Sequence, residues 1–336
     1  MLPPLHLGEV LRDRYKITAY IGQGGMGSIY RAEDLRLEGR QCAIKEVQND
    51  LSLAREAQQQ ARDQFYREAS ILARLDHPNL PKVSDYFSSD DRDYLVMDFV
   101  PGRDLKEIVN EAKQNNRFLA EPEVLSWANQ LAGALEYLHH QDQAILHRDI
   151  KPSNLKVTPA GVLKLVDFGL VKQLAPDERT VTVIQGLGTA YYTPLEQYGG
   201  DTGHTDARTD IYAFGATLYH LLTNEPPAEA KERFLSADSL KPIRSVNPAV
   251  SANTEQAILW AMALHPDDRP PDVATFAEAL QHNNNLLVRA EGETLLVQPI
   301  IRLPSLTTPV DRYLAATTIG LLILAVLLTL FTFNVH

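Results

Sequence analysis

Up to about residue 100, apolar residues fall in short alternating runs. Ile17–Ile21, Ser28–Glu33, Gln41–Val47 and Tyr94–Phe99 predict strands separated by turns. One stretch breaks this rhythm. Between about Ser52 and Leu75, Phe65, Ala69 and Leu72 recur at helical spacing, and Asp76-His77-Pro78 closes the helix. From about 122 to 282 the helical period dominates, with stripes at Trp127, Leu131, Ala134 and Leu138, and at Phe214, Leu218, Leu221 and Leu222. Strands followed by helices read as an α+β protein. Residues 283–312 form a linker that opens on Asn283-Asn284-Asn285 and contains Pro299, Pro304 and Pro309. Its short apolar runs, Leu286–Val288 and Leu295–Ile301, fit a hairpin or plain loop.

Leu314–Phe333 reads LAATTIGLLILAVLLTLFTF and holds no charge. As a helix it spans about 30 Å, the thickness of a bilayer's hydrocarbon core. A core helix of that length keeps a polar face, so a transmembrane helix over 313–333 is expected. Only Asn334, Val335 and His336 follow, so nothing folded is expected beyond the span.

Composition narrows the classes. The 336 residues are 44% hydrophobic and 22% charged, with a net charge of −11. That suits a globular domain and argues against non-specific nucleic-acid binding, which needs a basic face. The single cysteine, Cys42, rules out an intrachain disulfide and fits a reducing compartment. Residues 1–14 read as a short lead-in; Met1–His6 has neither charged start nor apolar run, so no signal peptide is expected.

The chemistry sits in a few motifs. Gly22, Gly24, Gly25 and Gly27 lie between two strand-like runs, where bare backbone approaches phosphates and offers N–H donors. A strand, not a helix, follows the third glycine of the motif, which favours a strand–loop–strand flap over a dinucleotide site. Lys45 lies in the apolar strand Cys42-Ala43-Ile44-Lys45, and Glu68, beside the inward stripe of the next helix, is its expected carboxylate partner. Alone, each reads as an ordinary surface charge. His147-Arg148-Asp149-Ile150-Lys151-Pro152-Ser153-Asn154 and Asp167-Phe168-Gly169 then place two carboxylates, a lysine and an asparagine close in sequence. That set suits metal-assisted phosphoryl transfer. Asp149 orients a hydroxyl and takes its proton, Asn154 and Asp167 supply metal oxygens, and Lys151 neutralises the transferring phosphoryl group.

These motifs, in this order, resemble the eukaryotic-like protein kinases of bacteria over nearly all of residues 15–282. The resemblance implies a two-lobed fold with a small β-rich N-lobe (about 15–100) and a large helical C-lobe (about 101–282). It implies ATP with Mg2+ or Mn2+, and serine/threonine protein substrates, given Lys151 and Gly188-Thr189. It assigns Met97 as gatekeeper, Asp98, Phe99 and Val100 as hinge, and Ile21, Ile29 and Ala43 to the adenine pocket. Leu72, Val83, His147 and Phe168 match an apolar column between lobes. Thr189 matches the threonine bonded to the catalytic aspartate. Asp210 matches the aspartate that holds the catalytic-loop backbone, and Glu196 with Arg269 a buried ion pair; His147, Phe168 and Gly169 count as further support. Arg148 is expected to receive a phosphate from the activation segment, about Leu170–Pro194, with Thr180 and Thr182 as acceptors.

Two positions depart from the family pattern. Pro194-Leu195-Glu196 stands where Ala-Pro-Glu is usual, touching substrate docking. Lys156 stands where an apolar residue lies under adenine, and its stem is expected on that surface with its ammonium in water. Two rival readings are a pseudokinase scaffold, against which Lys45, Asp149, Asn154 and Asp167 are all present, and a small-molecule phosphotransferase, against which the Gly-Thr segment and the helices behind it stand. The span implies a single-pass membrane protein with the kinase domain cytoplasmic, an orientation that ATP supply supports more than Arg312 beside the span. Self-association for phosphorylation in trans would use Ala315, Ala316 and Gly320, without a GxxxG motif.

Overall fold

In the computed structural model, residues 3–24, 27–48, 54–89, 92–167, 189–198 and 206–281 are described. The alternating first part forms a six-stranded sheet: β1 (Val10–Leu11), β2 (Tyr15–Gly24), β3 (Gly27–Asp34), β4 (Gln41–Gln48), β5 (Val83–Ser89) and β6 (Arg92–Asp98). The order is β1-β2-β3-β4-β6-β5, all neighbours antiparallel. Helix α1 (Arg55–Leu72) lies between β4 and β5 in sequence and buries Phe65, Glu68, Ala69 and Leu72. It stops three residues before Leu75, the expected end, with Ala73 as its cap. The first turns of α1, Arg55–Ala61, face outward.

The sheet has two apolar faces, because alternate side chains point to opposite sides. Along β3, Ser28, Tyr30, Ala32 and Asp34 are buried while their neighbours are half-buried. Tyr30 and Ala32 join Leu11, Tyr15, Ile17, Cys42, Ile44, Phe87, Tyr94 and Val96 in an outer core, with Leu5 against it. The opposite face, with Leu95, Met97 and Val83, belongs to the main core shared with α1 and the helical part. Residues 3–14 are stitched onto the outer face. The Leu5 N–H donates to the Tyr30 hydroxyl (3.0 Å), and Arg92 donates to the Pro3 carbonyl (2.7 Å). Tyr30 and Arg92 also donate to the fully buried carboxylate of Glu46, at 2.9 and 3.1 Å. A buried carboxylate is tolerated only with such partners.

The second part is helical around one small sheet. It runs β7 (Arg103–Asp104), α2 (Leu105–Gln114), α3 (Glu121–His139), β8 (Leu155–Val157), β9 (Leu163–Leu165), α4 (Ala207–Thr223), α5 (Ala230–Leu235), α6 (Ile243–Val246), α7 (Ala252–Ala261) and α8 (Val273–Gln281). β8 pairs with both β7 and β9 and turns the chain that carries the catalytic motifs. α4 is buried at every position from Thr209 to Thr223, which makes it the axis of this lobe. The predicted stripes of α3 and α4 are all buried. A small β-rich lobe and a large helical lobe are thus present. Among the described residues no helix is long and apolar enough to cross a membrane. Residues 282–336, including the predicted span, lie outside the described residues.

Candidate active site

Three walls meet at the site. The first is the glycine hairpin. Its strands pair up to Gly24 opposite Gly27; Gly25 lies outside the described residues. Gly27 has φ +150°, and a Cβ there would stand 1.9 Å from the Glu46 carbonyl oxygen. Only glycine lets β3 lie that close to β4. On the sheet face opposite the outer core, Ile29 pairs with Lys45, and Ala43 with Met97, itself opposite Val83. Met97 is buried, Gly22, Ile29 and Ala43 are half-buried, and Ile21 is exposed.

The second wall is the hinge. The Asp98 N–H donates to the Lys82 carbonyl (2.9 Å), and its carboxylate accepts from the Lys82 N–H (3.3 Å) and Arg40 (3.3 Å). Arg40 also lies 3.6 Å from Asp34, which Arg14 grips with two hydrogen bonds, at 2.9 and 2.8 Å. Those Arg14 bonds hold the Asp34 carboxyl below its usual range against the effect of burial. The Arg31 guanidinium sits 5.2 Å from the Phe99 ring centre, and Val100 is buried.

The third wall is the catalytic loop. Asp149 Oδ2 accepts from Asn154 Nδ2 (2.9 Å) and pairs with Lys151 Nζ (2.8 Å). Lys151 Nζ also donates to the Thr189 hydroxyl (3.1 Å). Asn154 Nδ2 donates again to the Asp149 carbonyl (2.7 Å), which fixes its amide with Oδ1 turned away. Asp149 Oδ1 is buried and meets no hydrogen-bond donor among the described residues. Lys45 Nζ contacts the Asp167 carboxylate directly. Burial opposes ionisation of Asp167, but the charges of Lys45 first, then His147 and Lys151, hold its carboxyl below the usual range. Glu68 is buried on α1 and accepts from Gln64 (2.7 Å). Lys45 thus meets Asp167, while Asp149, Lys151, Asn154 and Thr189 form a second connected group.

The loop backbone is strained and clamped. Arg148 and Asp167 both have φ +59°, a left-handed conformation costing a non-glycine residue about 1–2 kcal/mol. Asp210, fully buried on α4, accepts from the N–H groups of His147 (2.9 Å) and Arg148 (2.8 Å), and its Oδ2 lies 2.9 Å from His139 Nε2. Burial alone would raise its carboxyl; His139, His147 and the backbone donor outweigh it and hold it low. Burial also pushes the His147 imidazole down from its ordinary value. Arg148 Nε is buried and finds no hydrogen-bond partner among the described residues. Further out, Arg269 grips Glu196 at 2.6 and 3.0 Å and donates to the carbonyls of Ala263, Leu264 and Arg208.

Some expected residues fall outside this picture. Phe168, Gly169, Thr180 and Thr182 lie outside the described residues. Lys156 is half-exposed on β8, opposite Asp104 of β7. Asp104 was not expected. Burial raises its carboxyl, Lys156 counters in part, and it caps α2 in a reciprocal box with Glu107. That cap was legible as an acidic residue three positions before a glutamate. Also unexpected is a buried pair, the Tyr192 hydroxyl 2.6 Å from His220 Nδ1, for which spacing gives no signal.

The residues present fit a magnesium ion. Mg2+ is held by one or two carboxylates together with substrate phosphates, and Asp167 with the Oδ1 of Asn154 offers that kind of set. The described residues hold no cluster of three or more His, Cys, Asp or Glu able to cage an ion by themselves.

Lobes, glycine hairpin, clamped loop and converging carboxylates define a protein kinase domain. The family model described as "Protein kinase domain" matches residues 15–284, and the chain belongs to this family. It is similar to the probable serine/threonine-protein kinase PknB of Lactococcus lactis, 32% identical over 297 residues, 85% of this chain and 44% of that protein. It is similar to the serine/threonine-protein kinase PrkC of Bacillus subtilis, 33% identical over 311 residues, 88% of this chain and 46% of that protein. The chain thus spans under half the length of these curated relatives. Among solved structures, the apo form of PpkA-294 is 29% identical with a TM-score of 0.66, covering 82% of this chain and 99% of that one. The PknI kinase domain of Mycobacterium tuberculosis is 26% identical with a TM-score of 0.61, covering 83% and 98%.

Proposed function

We propose that this chain transfers the γ-phosphoryl group of ATP to serine and threonine hydroxyls of proteins. The observation that carries the reading is Asp149. Its Oδ2 is pinned by Lys151 and Asn154, while its buried Oδ1 meets no donor among the described residues. Oδ1 is the acceptor for the substrate hydroxyl's proton as that oxygen bonds phosphorus and the bond to ADP breaks. Lys151 sits between Asp149 and Thr189 and lends positive charge to the phosphoryl group in flight. Lys45 serves the ATP phosphates, with Glu68 as its support on α1. Asn154 and Asp167 would hold Mg2+, which when bound neutralises phosphate charge. Ile21, Ile29, Ala43, Met97 and the stem of Lys156 enclose adenine, and Asp98 and Val100 meet it through their backbone. The names of the relatives and the Lys151–Thr189 contact support the serine/threonine class. A pseudokinase scaffold is the rival reading. Radiolabel transfer from ATP to a generic basic protein, abolished by Asp149→Asn, decides between them; equal labelling by the variant would refute the assigned role.

Three wider readings join this one. Phosphorylation of Thr180 or Thr182 orders the activation segment against Arg148, whose buried Nε supports an anionic partner. Leu314–Phe333 anchors the chain in a membrane with the kinase domain on the cytoplasmic side, a reading supported by the uncharged run. Self-association through that span would place one active site beside another chain's activation segment.

A further inference from the structure

The buried phenol–imidazole pair of Tyr192 and His220 plays no part in the chemistry above, yet it ties together two elements that do. α4 carries Asp210 near its start, where it clamps the catalytic loop. It carries His220 about 15 Å further along the same axis, at 1.5 Å per residue. His220 and Tyr192 are each 8% exposed, and their rings stack with centres 6.2 Å apart. The Tyr192 hydroxyl lies 2.6 Å from His220 Nδ1.

Tyr192 belongs to the segment that meets the substrate. Its N–H donates to the Thr189 carbonyl (3.0 Å), and the Thr193 hydroxyl donates to the same carbonyl (2.9 Å). The Thr189 hydroxyl accepts from Lys151, which pairs with Asp149. At its far end the segment is fixed by Glu196 on Arg269. Contacts along its length hold it, among them Lys151 at Thr189, His220 at Tyr192, Arg269 and Thr209 at Glu196, and Lys231 over the Tyr198 ring. The contact at Tyr192 is the next along the segment after the one on Thr189 itself. Burial pushes His220 down to about 4, with Glu225, Lys113 and Lys106 counting for less, so the ring stays neutral and pairs with a phenol.

We propose that His220 is a positioning residue for the acceptor-docking segment, acting through Tyr192 to hold Thr189 against Lys151. This rests on the kinase reading for what docks there, but the tether itself is a property of the fold. The hydrogen bond of the His220 ring goes to Tyr192 and not to a residue assigned to ATP or to the transfer step, so its loss is expected to weaken acceptor binding and leave nucleotide binding alone.

The test uses the full chain with His220→Leu, His220→Asn and Tyr192→Phe. Asparagine places an amide where Nδ1 stands; leucine keeps volume without the bond. KM is measured for ATP and for myelin basic protein, with amide hydrogen exchange over 189–198 and 146–154. Losing one buried hydrogen bond predicts a KM for the acceptor about five- to tenfold higher in His220→Leu and Tyr192→Phe, with the ATP KM within about twofold of wild type. His220→Asn returns the acceptor KM to within about twofold of wild type. Exchange over 189–198 quickens in the two bond-deleting variants while 146–154 keeps its protection. Unchanged exchange over 189–198, or an ATP KM that rises as much as the acceptor KM, overturns the proposal. A wild-type chain that labels no acceptor counts against the kinase reading alone, because exchange is read without turnover.

Discussion

Asp210→Asn asks how much the catalytic loop depends on its clamp. The carboxylate accepts from two backbone N–H groups at 2.8 and 2.9 Å and lies 2.9 Å from His139 Nε2, with no exposure to solvent. Asparagine keeps the shape but only one accepting oxygen. Turned to serve His147 and His139, its amide nitrogen faces the Arg148 N–H and orphans it, at about 1–3 kcal/mol. The two remaining bonds lose their charge assistance, about 1 kcal/mol each. The sum is about 3–5 kcal/mol, or a melting temperature roughly 10 °C lower. The released backbone includes Arg148 in its left-handed conformation, directly before Asp149. A displacement of about 1 Å there costs on the order of a hundredfold in rate. Thermal unfolding and phosphate transfer to a basic protein are measured together. A variant that melts within about 1 °C of wild type and transfers at the wild-type rate refutes the clamp.

Arg269→Met leaves the Glu196 carboxylate without its buried partner and is expected to cost about 3–5 kcal/mol, read by urea unfolding. Asp34, Asp167 and Asp210 have carboxyls held below their usual range in the fold. The stability they contribute is therefore complete above the ordinary carboxylate pKa and is lost as pH falls through the folded values, so melting temperature drops steeply only below about pH 4, and less so in Asp34→Asn. Thr180→Ala/Thr182→Ala is expected to lower activity, with phosphate found on one of the two by mass spectrometry of the active wild type; full activity and no modification would remove the phosphosites. Deleting 313–336 is expected to move the protein from the membrane fraction to the supernatant, and a deletion variant still in the membrane would end the anchor reading.

Elements with a strong period were readable. β3 and β4 sit within a residue or two of the alternating runs, and the α3 and α4 stripes are buried as their spacing implied. β5 was not named, because Val83–Ser89 is half polar and owes its strand state to pairing with β6. β7, β8 and β9 are two or three residues long, too short to show any period. The outer core was hidden because Leu5 and Leu11 look like stray apolar residues until Tyr30 and Arg92 fasten the segment around Glu46. At the site, Lys45, Asp149, Lys151, Asn154 and Asp167 stood out in the sequence because their residue types suit phosphoryl transfer and their order resembles the family's motifs; the structure brings Lys45 to Asp167 and Lys151 and Asn154 to Asp149. Tyr192 and His220 had no such signal. A tyrosine in a loop and a histidine in an apolar helix become a pair only once α4 is packed beneath the segment.

The central claim is that Asp149 receives a proton from a serine or threonine hydroxyl as phosphate is transferred. Phosphoamino-acid analysis of a basic protein incubated with γ-labelled ATP, Mg2+ and either the wild type or Asp149→Asn tests it most directly. The account predicts labelled phosphoserine and phosphothreonine with the wild type, and a loss of at least about a hundredfold with the variant. Equal labelling by the two proteins, or label on tyrosine alone, would contradict it.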